Sequence, residues 1–308
     1  MNSLIVRNLY MQYNFSTAGV RNISFEAKQG EILTVLAPLE GGKTTLIKSI
    51  AGLNPIQKGE AELNGKILNN LPTKDRNIAV IYEDWGLFNH KTVFYNLMYP
   101  LKIRNTEPQT ALDTVNRVLE EFNLVEFRDK KIGKLSEEEK FRAALARVFC
   151  REAELYLIDD PLYTFKGEER QRLFGYFLPY LKKLSVTAPI VYATSSVGEA
   201  KRLGGKTVLL NYGFQLQSGT IDEIAENPST ILALRLFHDD AIIEETVIIE
   251  SDGGVFVEYM GQKIPVDPDK LLNRIYIGSE VFVCFLNGKK GNILKLYDKS
   301  SEKLIYFV

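Results

Sequence analysis

Residues 32–53 constrain this chain more than any other stretch. A short apolar run, Ile32–Leu36, leads into Ala37-Pro38-Leu39-Glu40-Gly41-Gly42-Lys43-Thr44-Thr45, and a helical pattern, Leu46–Leu53, follows. In a strand–loop–helix unit the backbone N–H groups around Gly41–Thr45 can point at phosphate oxygens, and the helix N-terminus adds positive potential. Apart from Ala37, which stands where a glycine is usual, the segment fits the pattern G-x-x-x-x-G-K-[ST]. Gly42 permits close backbone approach, Lys43 reaches the β- and γ-phosphates, and the Thr44 hydroxyl is a ligand for Mg²⁺. Leu39, Glu40, Gly41, Gly42, Lys43, Thr44 and Thr45 are therefore the expected phosphate-binding residues. The competing reading is a strand-to-helix turn that binds nothing; Gly-Gly-Lys-Thr-Thr in this context argues against it. The Ala37 methyl is a mild defect at negative φ and a worse one at positive φ.

Around this loop, strand-like runs alternate with helical patterns over residues 30–215. That rhythm predicts an α/β domain with a mainly parallel sheet. The clearest buried strands are Ile32–Leu36, Ile78–Tyr82, Leu155–Ile158, Ile190–Thr194 and Thr207–Asn211, each short and apolar as a strand covered on both faces should be. Leu112, Val115, Val118, Leu119 and Phe122 recur at helical spacing, so 109–124 reads as an amphipathic helix. Residues 85–150 read as mostly helical. After about residue 240 short strand-like runs are separated by turn signals such as Asn287-Gly288, which predicts a small all-β barrel domain. The expected domains are 1–235 and 236–308.

With 38 basic and 39 acidic residues the net charge is −1, so no overall basic field calls for nucleic acid. Cys150 and Cys284 lie far apart and read as reduced, buried thiols of a cytosolic chain. The start, MNSLIVRNLY, lacks the pattern of a signal peptide, and no run of 18 apolar residues occurs. Any membrane role is expected to be peripheral.

Several blocks occur in a recognisable order: Val6 through Tyr13, the loop at 37–45, Ile50 through Gly59, Val80 through Phe88, Leu135 through Arg147, Leu155 through Leu162, Tyr192 through Ala200, and Gly213 through Gly219. Over residues 1–225 the chain resembles the ATP-binding subunits of ABC transporters, most closely the sugar-importer type with a C-terminal regulatory β domain. The resemblance implies a P-loop NTPase cassette with a helical subdomain, ATP and Mg²⁺ as ligands, permease subunits as membrane partners, and a place on the inner face of the cell membrane. It implies that Tyr13 stacks on adenine and that Glu83 and Asp159 join Thr44 around the metal. Asp160 would activate water, Ser195 would stand at the γ-phosphate-sensing position, and Ser136 would face the ATP of an opposing cassette. It also implies that residues around Trp85–Tyr99 dock on the permease.

The sequence departs from the family at the chemistry. Glu83 replaces a glutamine, Asp160 a glutamate and Ser195 a histidine, while Leu135-Ser136-Glu137-Glu138-Glu139 replaces LSGGQ and Lys166 replaces an aspartate. Asp160 is one methylene short, about 1 Å, and small misplacements cost about 10²-fold in rate. Glu137 and Glu138 would stand beside a partner's phosphate, where a like-charge pair at 4 Å costs about 4 kcal/mol at an effective dielectric near 20. Ser136 and Glu139 also read simply as a capping box. The expectation is ATP binding with weakened hydrolysis, and pairing with a second, more complete cassette in preference to a homodimer. The alternative is a non-hydrolytic structural or regulatory subunit.

Overall fold

The computed structural model describes residues 2–14, 16, 18–238, 241–251, 253–259, 262–271, 277–288 and 291–307. The chain divides between Gln215 and Leu216 into two units.

The first unit opens with β1 (Ser3–Gln12), β2 (Gly19–Lys28), β3 (Ile32–Leu36) and α1 (Lys43–Ala51). Next come β4 (Lys58–Leu63), β5 (Lys66–Ile67), β6 (Ile78–Ile81), α2 (Val93–Ile103), α3 (Pro108–Glu121) and α4 (Glu137–Phe149). It closes with β7 (Leu155–Asp159), α5 (Gly167–Ser185), β8 (Ile190–Thr194), α6 (Val197–Leu203), β9 (Lys206–Asn211) and β10 (Phe214–Thr220), the last crossing the division. The ten strands form one sheet in the order β5-β4-β1-β2-β10-β9-β3-β8-β7-β6. Its β9-β3-β8-β7-β6 part is parallel; β2, β1, β4 and β5 add an antiparallel wing.

All five strands expected from the sequence are present. Their side chains alternate between two cores. Tyr156, Ile158, Ile190 and Tyr192 pack with the α2–α5 helices, whereas Leu155, Leu157, Val191 and Ala193 pack with α1 and the antiparallel wing. This two-sided burial is why β7 and β8 read as unbroken apolar runs. Helix α3 covers most of the predicted 109–124 span. It starts at Pro108, with Glu107 accepting from the Gln109 and Thr110 N–H groups, and ends before Asn123, whose φ is 53°.

The second unit holds α7 (Ile221–Glu226), α8 (Ile231–Phe237) and six strands: β11 (Ile242–Ser251), β12 (Gly254–Tyr259), β13 (Gln262–Val266), β14 (Glu280–Gly288), β15 (Gly291–Asp298) and β16 (Leu304–Phe307). They form an antiparallel sheet in the order β13-β12-β11-β14-β15-β16. The all-β character is as expected; among the described residues no ladder joins β13 to β16 to close a barrel. The sequence put the domain seam at 235/236, whereas α7 and α8 go with the β unit. The reason is packing. Ile231 and Leu234 bury against Cys284 and Tyr297, the Tyr297 hydroxyl donates to Pro228 O at 3.1 Å, and buried Lys295 donates to Glu226 O at 2.6 Å. Both cysteines are free and buried, and burial pushes each thiol up to about 12.

Candidate functional site

The loop after β3 leaves the sheet at Ala37, whose N–H donates to Thr194 O at 3.1 Å. Ala37 does not have positive φ, so its methyl imposes no backbone strain. It constrains Gly41 instead: a Cβ there would lie 2.7 Å from Ala37 Cβ. Gly42 is the N-cap of α1 with φ 103° and no side-chain cap. A non-glycine residue is strained in that conformation, and the first N–H groups of α1 are left for a ligand. The loop is braced from outside. Gly213, in the β9–β10 turn, donates to Gly41 O at 3.0 Å and accepts from Arg21 N–H at 2.7 Å.

Lys43 is buried, and its Nζ donates to Ala37 O at 2.9 Å and Pro38 O at 2.8 Å. Burial lowers its pKa, against the attraction of Asp160, Asp159 and Glu83. Leu39, Glu40, Gly41, Gly42, Lys43, Thr44 and Thr45 all line one cleft of about 850 Å³, together with Glu83 and Asp160. Its volume suits a small-molecule ligand. Arg21, Tyr212 and Phe214 also line the cleft and were not flagged by sequence reasoning. Tyr13 is not among them; its hydroxyl accepts from Asn54 Nδ2 at 2.9 Å.

The three expected metal residues converge. Thr44, Glu83 and Asp159 line a second cavity of about 560 Å³. Asp159 is 1% exposed and neither carboxylate oxygen has a hydrogen-bond partner. Burial pushes its pKa up to about 6, with Asp160 and Glu83 adding to the rise and Lys43 opposing it. Burial, reinforced by Asp160, also raises Glu83. Among the described residues no three His, Cys, Asp or Glu side chains could hold a cation by themselves. A hydroxyl with an orphaned carboxylate and a second acid fits Mg²⁺ completed by phosphate oxygens, which is how Mg²⁺ is usually held.

Asp160 and Ser195 also meet. Ser195 donates to Asp160 Oδ2 from N–H at 3.1 Å and from Oγ at 2.9 Å. The other oxygen, Oδ1, accepts from Arg170 Nη2 at 2.8 Å. Arg170 Nε binds Glu199 at 2.6 Å, and Glu199 in turn accepts from Tyr192 at 2.9 Å and Thr194 at 2.7 Å. Asp160 is buried, with φ 39°. Both its carboxylate oxygens accept from protein donors, Oδ1 from one and Oδ2 from two.

Residues 20–163 match the family model described as ABC transporter. The chain is 30% identical over 271 residues to the trehalose/maltose import ATP-binding protein MalK of Thermococcus litoralis, covering 85% of this chain and 72% of that one. The chain belongs to the ABC transporter family. It is also 31% identical over 242 residues to the spermidine/putrescine import ATP-binding protein PotA of Thermotoga maritima, covering 79% of this chain but spanning only 65% of that relative's length. A solved ATP-binding subunit of an ABC transporter shares the fold with TM-score 0.62 at 22% identity, over 72% of this chain and 92% of that one.

In this ABC cassette Ser136 lies at the start of α4 and does not line the Lys43 cleft. The capping box is formed: Ser136 N–H donates to Glu139 Oε2 at 2.7 Å and Glu139 N–H to Ser136 Oγ at 3.3 Å. Glu138 binds Arg172 and Glu137 binds Lys140, each at 2.6 Å, and the Arg172 hydrogen bond holds Glu138 below the usual carboxylate range. The like-charge penalty expected from the sequence counted neither cation, so it is reduced in the folded cassette. Trp85 also differs from expectation. It is buried between Phe141 and Phe165 with Nε1 donating to Pro161 O at 2.8 Å, so it is not available to dock on a partner.

Proposed function

We propose that this chain is the ATP-binding subunit of an importer, holding ATP and Mg²⁺ in the cleft below α1 and hydrolysing ATP weakly. The observation that carries the second half is the double engagement of Asp160 by Arg170 and Ser195. Lys43 leaves its loop carbonyls to meet the β- and γ-phosphates, and the α1 N–H groups face the same oxygens. Thr44, Glu83 and Asp159 would hold Mg²⁺. Mg²⁺ held there would supply positive charge against the phosphates. Arg170 and Ser195 hold three of the about four acceptor positions of Asp160, which leaves little of that carboxylate for water, and Ser195 carries no charge near neutral pH.

The relatives' names support import, of sugars in one and polyamines in the other. The reading adopted is a carbohydrate-like solute, chosen by permease and binding subunits and not by this chain. Phe88, Tyr95 and Tyr99 cluster with ring centroids 4.7–6.3 Å apart. Beside them a groove of about 280 Å³ is lined by Phe88, Tyr99 and Ile103. This patch supports permease docking and a peripheral place on the inner membrane face. Among the described residues no helix is long and apolar enough to cross a membrane. A heterodimer with a more complete cassette is preferred to a homodimer, because two copies would repeat the Asp160 clamp in both sites. The same clamp favours the alternative, a non-hydrolytic subunit that holds ATP and stabilises the assembly.

ATP binding and phosphate release by the purified chain test this. The expected result is binding that Lys43→Ala abolishes, with slow release that Asp160→Asn leaves within about twofold. Rapid turnover lost in Asp160→Asn would overturn weak hydrolysis, and binding indifferent to Lys43→Ala would overturn the ATP site.

A further inference from the structure

We propose that the Tyr163 hydroxyl donates to the terminal phosphate of the bound nucleotide and sets the preference of the site for triphosphate over diphosphate. This rests on reading the cleft as an ATP site. The cleft of about 850 Å³ and the metal cavity of about 560 Å³ share three lining residues, Thr44, Glu83 and Tyr163. The first two are side chains expected around Mg²⁺, so Tyr163 stands where the phosphate and metal positions meet. The chain between β7 and α5 puts it there. Tyr163 N–H donates to Asp160 O at 3.0 Å, and Phe165 N–H donates to Leu162 O at 3.1 Å. Leu162 and Phe165 are buried in the core beneath the helices, whereas Tyr163 is 40% exposed. The buried pair pins the segment, and Tyr163 is left outside that core. Packing therefore does not account for an aromatic residue at this position.

Beyond the donors of the phosphate loop itself, this part of the site has few to offer a terminal phosphate. The Ser195 hydroxyl donates to Asp160 Oδ2 at 2.9 Å. The Arg170 guanidinium is held by Asp160 at 2.8 Å and Glu199 at 2.6 Å. Neither residue lines the cleft. Glu83 and Asp160, which do line it, are acceptors when ionised and repel a phosphate. Tyr163 differs from all of these. Among the described residues its hydroxyl has no protein partner, and a phenol O–H donates to an anionic oxygen. Its turn is hydrogen-bonded back to Asp160, the residue placed at the bond to be broken. That position favours reach to the terminal phosphate over the rest of the nucleotide. ADP lacks this phosphate, so the hydroxyl would act on ATP alone.

The test measures ATP and ADP affinity by equilibrium binding to the full chain with Mg²⁺, in the parent, Tyr163→Phe, Tyr163→Ser and Lys43→Ala. Tyr163→Phe keeps the ring and removes only the hydroxyl. A lost hydrogen bond to a charged group predicts that it weakens ATP by at least about tenfold and leaves ADP within about twofold. Unchanged ADP binding also shows that the variant is folded. Tyr163→Ser carries a hydroxyl too short to reach and is expected to lose the preference for ATP as fully as Tyr163→Phe. An ATP-to-ADP affinity ratio in Tyr163→Phe equal to the parent's overturns the proposal. So does an equal loss of both nucleotides in a Tyr163→Phe variant that keeps the parent's urea midpoint, because the residue is then a wall and not a terminal-phosphate donor. In both cases the ATP site stands, provided Lys43→Ala still abolishes binding. ATP binding that survives Lys43→Ala, or no ATP binding by the parent, overturns the ATP-site reading and the Tyr163 proposal with it.

Discussion

Arg170 joins Asp160 and Glu199, its guanidinium lying 2.8 Å from one carboxylate and 2.6 Å from the other. All three side chains are largely buried. Removing the cation would leave two buried carboxylates facing each other with only the neutral donors Ser195, Tyr192 and Thr194. Breaking a buried pair from one side costs about 3–5 kcal/mol. Arg170→Met is expected to lose that much in urea unfolding at pH 7, and a loss below about 1 kcal/mol would show that the network is not held by its cation.

Hydrolysis should be recoverable at the two positions that meet at this network. Asp160→Glu extends the carboxylate by one methylene, and Ser195→His restores a titratable donor opposite it. General-base catalysis contributes about 10²–10⁴-fold when its geometry is right. The double variant is expected to raise phosphate release by at least about tenfold over the parent, read as steady-state turnover with saturating ATP and Mg²⁺. An unchanged rate in a folded, ATP-binding double variant would place the defect elsewhere.

Asp159 makes nucleotide-free stability pH-dependent. Its folded pKa of about 6 lies above the unfolded value near 3.9. Between the two the folded chain holds the proton and the unfolded chain has lost it, so stability falls as pH rises through this window. Above about pH 6 the cost is complete, on the order of 3 kcal/mol for a shift of about two units. Asp159→Asn removes it. In EDTA without nucleotide, the variant should exceed the parent in urea midpoint at pH 8, and the difference should vanish by about pH 4. The same variant should bind ATP with weaker Mg²⁺ dependence. A parent as stable as Asp159→Asn at pH 8 would mean that the buried carboxylate has a compensating donor.

Gly213 should tolerate no side chain. A Cβ would lie 2.0 Å from Gly19 O, at φ 78°. The turn cannot yield without releasing Gly41, so Gly213→Ala is expected to lower stability by more than about 1 kcal/mol and to weaken ATP and tripolyphosphate together. Loss of ATP binding alone would separate this turn from the phosphate loop.

The capping box illustrates what a short window of sequence decides. Ser136 and Glu139 bond each other's backbone within one turn, and nothing distant is needed. The five parallel strands were equally legible, because burial on both faces selects unbroken apolar runs. The phosphate loop was too, since Gly42 and Lys43 act within nine residues of β3. Strand β13 carries Pro265 within its run; it lies at the end of the sheet order, where a missing N–H is tolerated.

Long-range pairing was not legible. Arg170 reads as one more solvated charge on α5 until the fold sets it beside residues 10 and 29 positions away. Arg172 reaches Glu138 across 34 positions, and Arg21 meets the Tyr212 turn across 191. Trp85 opened the segment expected to dock on a permease, and its burial depends on Phe141, Phe165 and Pro161. The sequence by itself determined that a strand–loop–helix unit would set Gly42, Lys43 and Thr44 at the start of α1, because that unit is local. Only the tertiary structure decided that Asp160 is held by Arg170 and Ser195 and that Tyr212 lines the cleft, because packing a sheet against helices brings together charges and rings whose separation along the chain carries no signal.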